Sequence, residues 1–374
     1  MTSAADASRP ALQGVGDNAT PIWGMSNAER VRRIAAAQKL DGEGRDRPAL
    51  LANLRYAFDP VWTTYLAGRP GTVVTRDGVP VLAHVVDPVD AERVRQAMLA
   101  DRASVPAGLR VQEAEDEAGI ANHALRKRER PFAERLTPES VPLIERASYF
   151  GAYKGVTDIL TKHLWPEWAF VLTRIAARWG VTPNQVTALG TLFCVLATVA
   201  FWYGWYWTGM LVGLGFMVLD TVDGKLARCT ITSSSIGNIW DHGVDLVHPP
   251  FWWWAWAVGL GRVGLGYSDR TFVWVLGAIL GGYVVQRLIE GAFMRRWDMH
   301  IHVWRKVDSD FRLVTARRNP NMVILFAATL VGRPDLGLIA VAVWTVLSCL
   351  FHLVRLIQAF GQERRGEPIL SWLA

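Results

Sequence analysis

Residues 220–245 read DTVDGKLARCTITSSSIGNIWDHGVD, and the placement of four aspartates in that stretch decides the fold. Asp220 and Asp223 are three apart and Asp241 and Asp245 four apart, so each pair shares one face of a helix. Apolar segments of membrane length flank the stretch on both sides, at 208–226 and 237–260. An Asp at the centre of a membrane helix costs about 2.5–3.5 kcal/mol to insert. Four unpaired ones oppose insertion by roughly 10 kcal/mol, less near the interface, and so require compensating charge. Two such faces meeting across a tight turn form an all-oxygen pocket suited to hard divalent cations, Mg²⁺ or Mn²⁺ ahead of softer metals. His242 falls about 100° round the helix from Asp241, and His248 is no better placed, so neither is expected as a ligand. Pairing with Lys225, Arg228 and other basic groups is the competing explanation of the acids, but it offers few cations for four carboxylates.

The neighbouring residues add a second requirement. Gly224 and Ala227, one turn apart, leave room for a ligand to approach the backbone, and Arg228 offers a bidentate fork for phosphate. Gly237 leaves the same room on the facing helix, although glycines in membrane helices serve helix packing as often. A metal-bound diphosphate is the natural occupant: two cations about 3.5–4 Å apart stabilise the attacking and leaving oxygens of a phosphoryl-type displacement.

Working outward, apolar segments near 186–205, 208–226, 237–260, 271–293, 321–334 and 336–358 predict six membrane spans. Ahead of them, Val156, Ile159, Leu160 and Leu164, then Phe170, Leu172, Ile175 and Trp179, recur at helical spacing with basic residues between them and Pro166 in the middle. Residues 151–185 therefore read as a kinked amphipathic helix on a membrane surface. The first 25 residues lack a basic start followed by an apolar core, so a cytoplasmic amino terminus is expected. The loop 294–320, with Arg295, Arg296, Arg305, Lys306, Arg312, Arg317 and Arg318, then falls on the cytoplasmic side together with a tail at 361–374, as the positive-inside rule requires.

Composition divides the same way. Hydrophobic residues make up 51% of the 374 and charged residues 20%, which excludes disorder and coiled coil. Residues 1–150 hold 20 of the 40 Lys+Arg and 20 of the 34 Asp+Glu, so the whole net charge of +6 lies beyond them. That second part also carries 16 of the 18 Trp, including Trp252, Trp253, Trp254 and Trp256. A basic, apolar, Trp-rich segment points to membrane lipids as partners and away from nucleic acid, since Trp favours the headgroup interface. Cys194, Cys229 and Cys349 are too few and too far apart for a disulfide framework or a metal knuckle.

The first 150 residues read as a soluble α/β domain. Residues up to about 45 are polar and expected to be poorly ordered apart from a helix at Asn27–Gln38. Helices are expected at Leu51–Leu66 and Asp90–Leu99, and two β-rich runs flanking Arg76-Asp77-Gly78 predict a hairpin. Val111–Arg135 has helical spacing, and its basic run Arg126–Arg130 is expected to be a solvated face.

The motif Asp220-x2-Asp223-Gly224-x2-Ala227-Arg228-x8-Gly237-x3-Asp241-x3-Asp245 resembles the signature of the CDP-alcohol phosphotransferases, also called CDP-alcohol phosphatidyltransferases, and matches it at all eight positions. Thr182-Pro183-Asn184-Gln185-Val186-Thr187, opening the first span, is similar to the segment those enzymes carry there, and the likeness extends over about residues 150–360. The resemblance implies a six-transmembrane-helix catalytic core at 186–360 that cleaves the diphosphate of a CDP-linked donor, passes the phospho-group to an acceptor alcohol and releases CMP. It implies that Asp220, Asp223 and Asp241 hold two Mg²⁺ or Mn²⁺ ions, with Asp245 completing the metal site and acting as general base. Gly224, Ala227, Arg228 and Gly237 would contact the cytidine nucleotide, with Asn184 and Thr187 as further candidates. It also implies a homodimer in a membrane of bacterial inner-membrane type, with the active site cytoplasmic.

Arg287 and Arg355 lie inside apolar spans, where an arginine faces a polar cavity. Together with Arg317 and Arg318 they are the candidate acceptor site, for a phosphorylated polyol such as inositol phosphate or glycerol phosphate; phosphatidylinositol-phosphate synthases of this family are similar in using basic residues there. The front domain occupies the place where some relatives carry a cytidylyltransferase-like domain but lacks a Gly-rich nucleotide loop, so it is expected to be non-catalytic. CDP-diacylglycerol is the favoured donor. Transfer of a CDP-linked headgroup to a lipid alcohol uses the same residues. A metal-binding transporter or scaffold, and a front domain acting as the main binding module, are the readings from other classes.

Overall fold

The computed structural model describes residues 10–41, 48–116, 119–122 and 125–373. Their packing divides the chain into two units: 1–153 with 173–182 and 225–233, and 154–172 with 183–224 and 234–374.

In the first unit the order is β1 (Ala11–Val15), α1 (Asn27–Gln38), β2 (Ala49–Asn53), β3 (Tyr56–Phe58), α2 (Val61–Ala67), β4 (Thr72–Arg76), β5 (Val79–Val85), α3 (Pro88–Ala100), β6 (Arg110–Glu113), β7 (Ile120–Asn122), β8 (Lys127–Glu129), β9 (Ala133–Arg135) and α4 (Val141–Gly151). Five strands form a mixed sheet in the order β1-β2-β5-β4-β6. The period-2 alternation sends Leu50, Ala52, Val74 and Leu82 to one face, under α1 and α2, and Leu51, Val73, Ala83 and Val85 to the other, under α3. The expected hairpin is β4–β5: Asp77 (φ 52°) and Gly78 (φ 74°) are both left-handed, as a two-residue type I′ turn requires. Asp87 caps α3 through the Val89 and Asp90 amides, and Ser26 caps α1 through Glu29.

Three expectations need correction. Leu51–Leu66 is not one helix but β2, β3 and α2, because pairing of β2 with β1 and β5 overrides the helix propensity of its Leu and Ala residues. Val111–Arg135 forms four short strands, with β6 parallel to β4. The amino-terminal stretch contributes strand β1, while the expected disorder of 1–9 and 42–47 lies outside the described residues. In the basic run, Arg128 and Arg130 are exposed as expected, but Lys127 donates to the Gly151 carbonyl at 2.5 Å.

The second unit is helical: α5 (Ile159–His163), α6 (Pro166–Arg178), α7 (Pro183–Trp202), α8 (Tyr206–Cys229), α9 (Ser235–Arg262), α10 (Asp269–Trp297), α11 (Lys306–Arg312), α12 (Arg318–Leu330) and α13 (Pro334–Arg364). The last turns of α6 and α8 count with the first unit. Among the described residues, α7, α10 and α13 are long and apolar enough to cross a membrane. Helices also cover the other three expected spans, but α8 and α9 carry the aspartates and α12 is only 13 residues long. The surface helix expected at 151–185 is broken in two, with Pro166 opening α6. Along α6 and at Trp179 just beyond it, Trp168, Val171, Leu172, Ile175 and Trp179 are exposed, an apolar stripe at helical spacing, while Ala169, Thr173, Ala176 and Ala177 are buried.

The tryptophans do not all behave as interface anchors. Trp252, Trp253 and Trp256 are buried, and the indole N–H groups of Trp252 and Trp256 donate to the Cys194 and Pro334 carbonyls, each at 3.2 Å. Gly259 lets α9 meet the end of α7: a Cβ there would overlap the Phe201 carbonyl oxygen. Pro250 denies Leu246 its helical N–H donor, and the Tyr283 hydroxyl on α10 supplies a replacement at 2.8 Å. A backbone polar group one residue after Asp245 is thus kept satisfied. Beyond α13 the chain turns back, and Trp372 Nε1 donates to Ser309 Oγ at 2.9 Å.

Candidate active site

The facing ends of α8 and α9 bring three of the four acids together. One carboxylate oxygen each from Asp220, Asp241 and Asp245 lies within 4.8 Å of the other two. The donor set is all oxygen and fits a hard divalent cation. Asp245 is the most open of the three, with 47% of its side chain exposed, against 17% for Asp220 and 30% for Asp241.

Asp223 is turned aside from this group. Its Oδ2 accepts from Thr187 Oγ1 at 2.7 Å and its Oδ1 from the Gly224 amide at 2.5 Å. Thr187, a candidate nucleotide contact, is therefore a buried partner of an acid. Asn184 does a related job for Gly237: a Cβ at 237 would stand 2.5 Å from Asn184 Oδ1, so α7 and α9 meet there through a glycine. Gly224, Ala227 and Arg228 make a half-buried stripe at positions i, i+3 and i+4 of α8, flanked by buried Val222, Leu226 and Cys229. His242 Nδ1 lies 2.8 Å from the Asn238 carbonyl and 3.7 Å from Asp241 Oδ2, and His248 packs edge-on against Phe216 and Trp252.

The compensating charge is Arg318, at the start of α12. Its guanidinium donates to Asp220 at 2.8 Å and to Asp245 at 2.9 Å, while its plane lies 4.8 Å from the Phe216 ring. Lys225, by contrast, rests on the Tyr153 ring, 3.0 Å from its centroid.

The other three arginines considered for the acceptor are also matched by acids. Arg317 Nη2 pairs with Glu290 and lies 3.4 Å from His302 Nε2, and Arg287 reaches the same Glu290 at 3.4 Å. Arg355 is gripped in bidentate fashion by buried Asp308, at 2.5 and 2.8 Å. Glu290, His302 and Asp308 were missed by sequence reasoning. Glu290 carried a usable signal, as the one acid within the fourth apolar segment, three residues after Arg287. Asp308 lies in a charged loop and carried none. Beside the acids, an apolar cavity of about 580 Å³ opens between α7 and α9, lined by Cys194, Val195, Val199, Gly243, Val247 and Phe251 among others.

The family model for CDP-alcohol phosphatidyltransferases matches residues 180–315, which hold every acid and glycine of this site. Cholinephosphotransferase 1 of Danio rerio is 35% identical over 129 residues, 32% of this chain and 32% of that protein. The archaetidylinositol phosphate synthase of Pyrococcus horikoshii is 27% identical over 192 residues, 51% of this chain and 89% of that protein. The phosphatidylinositol phosphate synthase of Cutibacterium acnes is 36% identical over 90 residues, 23% of this chain and 44% of that protein. The chain spans about a third of the length of the cholinephosphotransferases it matches. The match to the CDP-alcohol phosphatidyltransferase model is centred on the complete aspartate motif, which α8 and α9 carry on facing ends.

Proposed function

We propose that this integral membrane protein transfers a substituted phosphate group from a CDP-linked donor to the hydroxyl of an acceptor alcohol, releasing CMP, in phospholipid synthesis. The observation that carries the reading is the convergence of Asp220, Asp241 and Asp245 within 4.8 Å on the facing ends of α8 and α9. Asp220, Asp223, Asp241 and Asp245 would hold two Mg²⁺ or Mn²⁺ ions, which neutralise the donor's diphosphate and stabilise the departing CMP phosphate. Asp223 would have to exchange its Thr187 bond for that role.

The remaining work falls to side chains of this protein. Gly224 and Ala227 leave room for the cytidine nucleotide, Arg228 forks onto its phosphate, and Gly237 with Asn184 packed against it borders the same pocket. Asp245, the most open acid, takes the proton from the acceptor hydroxyl. CDP-diacylglycerol is the favoured donor, because the apolar cavity beside the acids offers space for an acyl chain. Arg287 and Arg317 favour a phosphorylated polyol as acceptor, in keeping with the two similar inositol-phosphate-lipid synthases. The likeness to cholinephosphotransferases supports a second reading, transfer of a CDP-linked headgroup to a lipid alcohol.

The exposed stripe of α6 supports a place on the membrane surface, and the basic 294–320 loop supports a cytoplasmic active site reached by six spans in a bacterial-type inner membrane. A homodimer and a non-catalytic front domain complete the proposal. Mass spectrometry of the products formed from a panel of CDP donors and alcohols, with Mg²⁺ or EDTA, tests it. CMP release is expected only with metal and is expected to vanish in Asp245→Asn. No CMP from any donor, or undiminished turnover in that variant, overturns it.

A further inference from the structure

The segment Lys225–Ser233, which ends the motif helix α8, packs as part of the first unit, and three contacts hold it there. Lys225 is buried with its ammonium over the Tyr153 ring, 3.0 Å from the centroid, and within 5.6 Å of the Tyr149 ring; Tyr149 lies on α4 and Tyr153 just beyond its end. Arg33 on α1 donates from Nη1 to the Thr230 carbonyl oxygen at 2.9 Å, steadied by Glu29 at 2.7 Å. Ile231 packs against the sheet core formed with Val31, Ile34, Trp62 and Leu66.

Ile231 is the unusual member. The amide of Thr232 reaches back to the Ala227 carbonyl at 2.9 Å, so α8 ends in a Schellman-type turn with Ile231 at its left-handed position, φ 53°. Glycine or asparagine normally stands there, and a β-branched residue at positive φ is strained. A helix terminator alone gains nothing from isoleucine. An anchor does, because only a side chain reaches the sheet core.

We propose that the first unit holds the nucleotide-facing end of α8: through Ile231, Arg33 and the aromatic seat of Lys225 it fixes the presentation of Ala227 and Arg228 to the nucleotide. This rests on the nucleotide role proposed above for those two residues. Ile231 and Arg33 are positioning residues, since neither belongs to the motif itself.

The test uses the full-length protein in lipid nanodiscs, with Ile231→Gly and Arg33→Ala beside the conservative Ile231→Leu and Arg33→Lys. Glycine suits the left-handed position better than isoleucine, so a pure terminator predicts an improved or unchanged protein. An anchor predicts a KM for the CDP donor about tenfold higher, equivalent to 1.4 kcal/mol, with kcat within about twofold, and substantial recovery in the Leu and Lys variants. Faster hydrogen exchange of the Lys225–Thr232 amides in Ile231→Gly and Arg33→Ala is expected alongside. An unchanged donor KM, or a fall in kcat alone, overturns the proposal. If the wild-type chain released CMP from no donor, the proposed activity would fall by itself, and the exchange measurement would still decide the anchor: unaltered exchange in both variants sinks it.

Discussion

Replacing Arg318 with alanine removes the guanidinium that bridges Asp220 and Asp245, and the cost follows from the burial of each limb. The Arg318–Asp220 limb is 2.8 Å long between side chains only 12% and 17% exposed. Removing one partner of a buried pair costs about 3–5 kcal/mol, because the other charge is left uncompensated. The Asp245 limb is 2.9 Å long, but that carboxylate is 47% exposed, so solvent screening reduces it to about 0.5 kcal/mol. The sum is about 3.5–5.5 kcal/mol. It is of the same order as the repulsion between two of the remaining carboxylates at 4.8 Å, about 3.5 kcal/mol at an effective dielectric constant of 20.

Divalent metal should oppose that loss, since a cation held by the same acids supplies the charge that the arginine no longer does. At a metal concentration 100 times Kd, binding to the acids that Arg318 has vacated returns about 2.7 kcal/mol to the variant, half of the deficit or more. Denaturation of Arg318→Ala and wild type in nanodiscs, in EDTA and in Mg²⁺, reads both numbers. A large deficit in EDTA that closes by half or more in Mg²⁺ is expected. Equal stability in EDTA refutes the reasoning. So does a deficit of the same size in both conditions, which would mean that Arg318 acts through its packing on Phe216.

Asp308→Asn leaves Arg355, with a side chain only 9% exposed, without its counter-charge, and about 3 kcal/mol of stability should go with it; a denaturation midpoint within error of wild type contradicts this. Gly259→Ala forces a methyl group into the Phe201 carbonyl, and since backbone cannot rotate away the loss should reach about 3 kcal/mol, seen as a collapse in monodisperse yield. Burial holds the His84 imidazole below its ordinary pKa, so it stays neutral in the fold while the unfolded chain takes up a proton. Stability contributed by neutral His84 is therefore present at pH 7 and is lost as the pH falls below about 6.5. His84→Gln should flatten the acid limb of the first unit's unfolding curve, and an unchanged limb counts against it.

Local chemistry was legible in the sequence wherever its cause was local. The spacing of Asp220, Asp223, Asp241 and Asp245 placed all four on facing helices, and Asp77-Gly78 placed a hairpin, because a helical period and a positive φ are properties of a few adjacent residues. Leu51–Leu66 failed for the complementary reason: its strand β2 exists by virtue of partners at Ala11–Val15 and Val79–Val85, which no local propensity reports. The pairing of charges failed in the same way. Arg318 stands 98 residues from Asp220, and Arg355 stands 47 from Asp308.

That last failure changes how the basic mouth is understood. From the sequence, Arg287, Arg317, Arg318 and Arg355 form a surplus of positive charge available to a phosphate. In the structure each already has an acid: Glu290 for two of them, Asp220 with Asp245 for the third, Asp308 for the fourth. A charge inside an apolar helix is costly unless paired, so the pairs follow from the same electrostatics that demanded compensation for the aspartates. Arg355, buried and held at Nε and Nη2 by Asp308 and at Nη1 by Gln358, braces α11 and has little left to offer a ligand. Arg287 and Arg317 differ, because their side chains remain 36% and 21% exposed and they share a single carboxylate. Two guanidiniums on one Glu290 leave one positive charge unmatched, and that residual charge, more than the number of arginines, is what a phosphorylated acceptor would meet.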